Sequence, residues 1–106
     1  MNTVEQAYQQ LTTRLTAQAG VSAGQMFGKA CLKINGKAFI ALYKDTVVFK
    51  LNGPTHASTL ALADAVLWDP SGKDRPMKEW IALSAQHSAH FPALADAALA
   101  YVQQSR

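Results

Sequence analysis

Asn35-Gly36 is the feature that most limits what this chain can become. A type I′ turn needs positive φ at both central residues. Asn and Gly tolerate that conformation best, so the dipeptide between apolar runs is the strongest short signal for a β-hairpin. It lies inside residues 25–51, where short runs of β-branched and aromatic residues are separated by Asn35-Gly36 and then by Lys44-Asp45. Three consecutive antiparallel strands with two tight turns follow from this pattern, and the rest of the chain must pack around that meander.

Two-residue turns set the expected register. The first pairs Ile34 with Lys37, Leu32 with Phe39 and Ala30 with Ala41; the second pairs Leu42 with Val47 and Ile40 with Phe49. Period-two alternation then puts Leu32, Ile34, Phe39, Ala41, Tyr43 and Val48 on one face, and Cys31, Ile40, Leu42, Val47, Phe49 and Leu51 on the other. Both faces are apolar, whereas a half-solvated antiparallel sheet has one polar face. Helices of the chain can cover one side, and a homodimer is the expected cover for the second.

The flanks supply those helices. Val4, Tyr8, Leu11, Leu15 and Ala19 recur at helical spacing and predict an amphipathic helix over 3–19, with Thr3 and Gln6 as a capping pair and Gly20 at its end. Gly20 to Gly24 read as a small-residue loop. After Asn52-Gly53-Pro54, a second helix is expected over 55–63 with Ala57, Leu60 and Ala63 inward. Val66-Leu67-Trp68 reads as a fourth strand, 69–76 as an exposed loop, and 77–83 as a fifth strand. In that strand Trp80 and Ala82 lie on one side, with Met77, Glu79 and Ile81 on the other. Ser84 caps a final helix that Pro92 kinks or restarts, with Leu94, Ala95, Ala98, Tyr101 and Val102 as its stripe. The order is α-β(3)-α-β(2)-α, an α+β fold in a single domain spanning 1–106.

Composition narrows the class. The chain has 106 residues, 49% hydrophobic and 16% charged, with a net charge of +3. That is one domain's worth of ordinary globular sequence, and its mild positive charge permits nucleic-acid contact without demanding it. Cys31 is the single cysteine, which excludes an intrachain disulfide and a cysteine zinc site, and its strand position reads as a small buried hydrophobe. With no signal-peptide pattern and no apolar run of spanning length, a cytoplasmic protein without membrane contact is expected.

Met26-Phe27-Gly28, Asn35-Gly36-Lys37 with Phe39, Lys50-Leu51 and Arg75-Pro76-Met77-Lys78-Glu79-Trp80 together resemble the TfoX/Sxy N-terminal domain family over about residues 20–102. The MmcQ/YjbR-like proteins share a similar layout more remotely. The resemblance implies a secretion-chaperone-like α+β fold and a link to competence and transcriptional co-regulation. The family's namesakes carry a second, helical domain for which these 106 residues leave no room, so the likeness is to a stand-alone N-terminal domain. It implies no catalytic residues.

The residues themselves assemble no catalytic set. The serines and threonines lack a nucleophile-elbow context, Asp74 and Glu79 form no acid–base pair, and no glycine-rich loop opens a helix. His87 and His90 stand three apart, but two ligands make no metal site, and His56 reads as a surface or capping residue. No cofactor is implied, and the chain does not read as an enzyme. What remains is charge. Lys29, Lys33, Lys37, Lys44 and Lys50 crowd the meander, while Lys73, Arg75 and Lys78 cluster in and after the loop between Trp68 and Trp80. Alternation sends Lys33 and Lys37 to opposite faces, lysines often guard strand edges, and both tryptophans read as core. Lys33, Lys37, Lys50, Lys73, Arg75 and Lys78 are the candidate partner contacts. The leading reading is a small interaction module that binds a protein partner; the alternative is direct nucleic-acid binding through a lysine-rich sheet edge.

Overall fold

A computed structural model describes residues 4–26, 28–69 and 77–104. Lys73 and Arg75, most of the expected loop, Phe27 and the capping Thr3 lie outside the described residues. The chain runs α1 (Val4–Leu15), β1 (Val21–Met26), β2 (Lys29–Ile34), β3 (Lys37–Tyr43), β4 (Thr46–Lys50), α2 (Gly53–Leu60), β5 (Val66–Trp68), β6 (Met77–Ser84), a 3-10 segment (Ala85–His90) and α3 (Phe91–Gln104). The strands form one antiparallel sheet in the order β1-β2-β3-β4-β6-β5. The α+β class is as expected. No helix among the described residues is long and apolar enough to cross a membrane.

Both expected turns are present. Asn35 (φ 51°) and Gly36 (φ 84°) show the paired positive φ values that a type I′ turn requires. At the second turn Lys44 takes φ 51°, and the Thr46 hydroxyl donates to the Tyr43 carbonyl at 2.6 Å to close it.

Between these turns the expected register fails. Ile34 pairs with Lys37, but Lys33 pairs with Ala38, Leu32 with Ile40 and Cys31 with Ala41, so Phe39 is the extra residue of a β-bulge. The bulge lets two adjacent large side chains, Phe39 and Ile40, enter the same core. It also exchanges faces: Leu32, Ile34 and Phe39 join Ile40, Val47 and Phe49, while Cys31 joins Ala41 and Val48. Beyond the bulge the expected pairs Leu42–Val47 and Ile40–Phe49 hold.

The flanks depart in three places. The segment read as a loop at 20–24 is most of β1, an edge strand paired residue for residue with β2. Its Ser, Ala, Gly and Gln are poor strand formers, so pairing rather than propensity makes it. The first helix ends at Leu15 instead of 19, and Ala19 is exposed. There Gly20 takes φ +86°, and a Cβ on it would come within 2.8 Å of the Asn35 side chain. In α2, Thr59 is the buried residue and Leu60 is 37% exposed, which reverses the expected inner face. The helix starts at Gly53, with Asn52 as N-cap and Pro54 in its first turn. Met77 packs on the Trp80 side, opposite to expectation, because β5 and β6 meet through a second bulge. The expected restart at Pro92 stands in the first turn of α3.

Helices cover one sheet face. Val4, Tyr8, Leu11 and Leu15 from α1 and Phe91, Leu94, Ala95, Ala98 and Val102 from α3 pack with Leu32, Phe39, Ile40, Val47, Phe49, Ile81 and Leu83. Phe49 and Phe91 meet at 5.3 Å between ring centroids. Arg14 and Asp96, 2.5 Å apart, tie α1 to α3 on the surface.

The second face is also buried, by a different means. Its centre is small: Cys31, Ala41, Val48 and Ala82. Trp68 and Trp80, 5.5 Å apart, and Tyr43, edge-on to Trp68 at 5.6 Å, pack on that floor. Trp68 is 1% and Trp80 5% exposed. Both tryptophans are therefore core, as their strand positions imply.

Candidate functional site

Alternation distributes the lysines. Lys29 and Lys33 stand two residues either side of Cys31 on β2, and Lys50, two beyond Val48 on β4, pairs with Trp80. Because every second residue of an unbroken strand shares a face, these three rim the tryptophan face. Direct contacts agree. The Lys29 ammonium lies 5.6 Å from the centroid of the Tyr43 ring, and the Lys44 ammonium from the adjoining turn lies 5.3 Å from it. Gly24 in β1 leaves room for the Lys33 side chain to cross the strand, since a Cβ there would meet Lys33 Cε at 3.3 Å.

Lys37 lies on the other face: it pairs with Ile34, whose side chain belongs to the helix-covered core. Of the candidate contacts, then, Lys33 and Lys50 come together, Lys37 is separated from them, Lys78 is exposed beside the bulge of β6, and Lys73 and Arg75 fall outside the described residues. Lys29, Lys44 and Tyr43 complete the group. The sequence did mark Lys29, two positions from Cys31, but only the register across the bulge assigns both to the tryptophan face.

Within the described strands, negative charge is segregated from this array. Among the described strand residues the one carboxylate is Glu79, which faces the helices and accepts a hydrogen bond from the Tyr101 hydroxyl of α3. That bond raises the Tyr101 phenol above its ordinary value. None of Lys29, Lys33, Lys50 and Lys78 forms an ion pair among the described residues. Asp45 and Asp69 line a groove of about 350 Å³ beside Tyr43, Lys44 and Trp68, at one end of the face.

The backbone beneath the lysines is held firmly. The Leu51 N–H donates to the Glu79 carbonyl at 2.8 Å and so extends the β4–β6 ladder. Where β5 is too short to flank β6, the His56 ring on α2 reaches the Lys78 carbonyl at 2.7 Å. His56 is thus a structural donor.

Other chemistry-bearing groups serve the fold. His87 Nε2 is 2.5 Å from the Ala63 carbonyl, and its ring centroid is 6.2 Å from that of His90. Among the described residues no three His, Cys, Asp or Glu side chains gather as metal ligands. Burial pushes the Cys31 thiol up, which disfavours the thiolate. A second groove, about 390 Å³, lies between α1 and the start of α3, lined by Leu11, Arg14, Phe91 and Pro92. Its one ionic group, Arg14, is already engaged by Asp96. The chain matches no protein-family model, no curated protein and no solved structure.

Proposed function

We propose that this chain is a non-catalytic binding module that engages a macromolecular partner of opposite charge through its lysine-rimmed sheet face. One observation carries the reading: Lys29, Lys33 and Lys50 share the tryptophan face, whereas Glu79, the one carboxylate among the described strand residues, lies on the opposite one. A rigid, internally packed sheet presenting long cations is a surface for contact, with few groups positioned for bond-making. Summed positive charge on one surface raises the local concentration of anionic partners and speeds encounter. The resemblance to the TfoX/Sxy N-terminal domain supports a regulatory setting for such binding.

The test is retention on immobilised heparin, a generic polyanion. Lys33→Glu and Lys37→Glu change the charge equally on opposite faces. Earlier elution of Lys33→Glu than of Lys37→Glu is the expected result. Co-elution of the two variants would reduce the effect to net charge and remove the face from the argument.

A further inference from the structure

Resting on that reading, we infer that the partner is duplex nucleic acid, gripped through its phosphodiester backbone without reading of the bases. Three features of the face lead there. The first is its cations. Among the described residues they are lysines, compact point charges suited to single phosphates, and no arginine offers the planar fork that reads guanine bidentately.

The second is what the face lacks. A protein partner is normally anchored by exposed aromatic or aliphatic side chains that fill pockets. Here both tryptophans lie within the fold, the half-buried Tyr43 ring is flanked by the Lys29 and Lys44 ammonium groups, and the large apolar side chains most exposed among the described residues are Leu60, away on α2, and Val66 on the edge strand β5. The same burial argues against single strands. Their binders stack bases on exposed aromatic faces, and Trp68 and Trp80 cannot offer theirs.

Breadth is the third. Lys29 and Lys33 are four residues apart on β2, about 13 Å, and β2 to β4, which carries Lys50, spans two strand spacings, about 10 Å. An array of that size reaches phosphates on both sides of a duplex groove, about 6 Å or 12 Å wide for the minor and major grooves. The Lys29 and Lys44 ammonium groups are held beside the Tyr43 ring, which packs on the apolar floor, so that part of the array projects from a fixed base.

Phosphate neutralisation has a measurable signature. Each neutralised phosphate releases counterions, so four contacts give a log–log salt slope of about −3.6 and about a hundred-fold weakening between roughly 50 and 200 mM salt. Absence of base contacts means that unrelated sequences bind alike.

The experiment is fluorescence anisotropy of two labelled duplex DNAs of unrelated sequence, and of one matching single strand, titrated with the whole chain at both salts. The inference expects equal affinity for the duplexes, weaker binding to the single strand and the stated slope. It also expects at least a ten-fold loss in a variant carrying Lys29→Glu, Lys33→Glu and Lys50→Glu, and none in Lys37→Glu. Circular dichroism checks that the triple variant folds, and Lys→Gln at the same positions replaces it otherwise. Preference for one duplex sequence or for the single strand overturns the inference. Face-dependent heparin retention without duplex binding also overturns it, and leaves an acidic protein as the partner with the binding-module reading intact. Loss of both ends both.

Discussion

The two faces of the sheet solve one problem in different ways. On the helix side, large strand residues such as Phe39, Ile40 and Phe49 interlock with a second layer formed by α1 and α3. On the other, the strands carry small residues in the middle and large rings toward the edges, so the sheet folds part of its own apolar mass over itself. Layered packing uses up the outer surface of the sheet; self-covering leaves it available. The lysines stand around the self-covered face, where charge can meet solvent and partner.

The largest effect that tests this contrast is on the helix side. Phe49→Ala removes a fully buried ring packed on Phe91 and is expected to lose about 3–5 kcal/mol of stability in urea or guanidinium denaturation. A loss under about 1 kcal/mol would mean that the helix layer collapses onto the gap and is not tightly interlocked.

Alkali probes both faces together. Burial pushes the Tyr8 hydroxyl, on the helix side, up to about 12, with the nearby Cys31 adding to the shift; the Cys31 thiol, on the other side, is raised chiefly by its own burial. Both groups hold their protons more tightly when folded. Their contribution is complete below the unfolded values and is lost as pH rises through the folded ones. Stability should therefore decline from about pH 9 toward pH 12, by up to about 3 kcal/mol for Tyr8. Denaturation midpoints across that range should show Tyr8→Phe flattening the upper part and Cys31→Ala the lower.

Overpacking sharpens the comparison further. Ala82→Leu puts three extra carbons beneath Trp68 and Trp80 and is expected to destabilise by about 1–3 kcal/mol, whereas Ala100→Leu, exposed on α3, should stay within about 0.5 kcal/mol. Equal melting temperatures for the two variants would show that the ring-covered floor has spare room. The smallest effect belongs to the one ion pair between helices among the described residues. Asp96→Ala breaks the exposed contact with Arg14 and should cost less than about 1 kcal/mol, reduced further by salt.

Turn chemistry was legible in the sequence because it is local. Asn35-Gly36 carries its conformational preference wherever it stands, and Pro54 and Pro92 sit in first turns for the same kind of reason. Period-two alternation likewise placed Trp80 with Ala82, and Lys33 and Lys37 on opposite faces. Alternation carries no mark of where it is interrupted. The bulge at Phe39 exists because two adjacent large residues gain more by entering one core than an unbroken ladder would give them, a balance made by partners far away in sequence. One extra residue then moved Cys31 onto the face of Ala41 and Val48, and carried Lys29 and Lys33 with it.

By itself the sequence determined the α+β class, both tight turns, the two-sided apolar sheet and the core role of the tryptophans. Tertiary structure decided the register across β2 and β3, the edge strand β1, the inward turn of Thr59 and the gathering of Lys29, Lys33 and Lys50 on one face. The division follows range: backbone preferences act over a few residues, whereas register and burial are settled by contacts between strands and helices that the chain brings together only when folded.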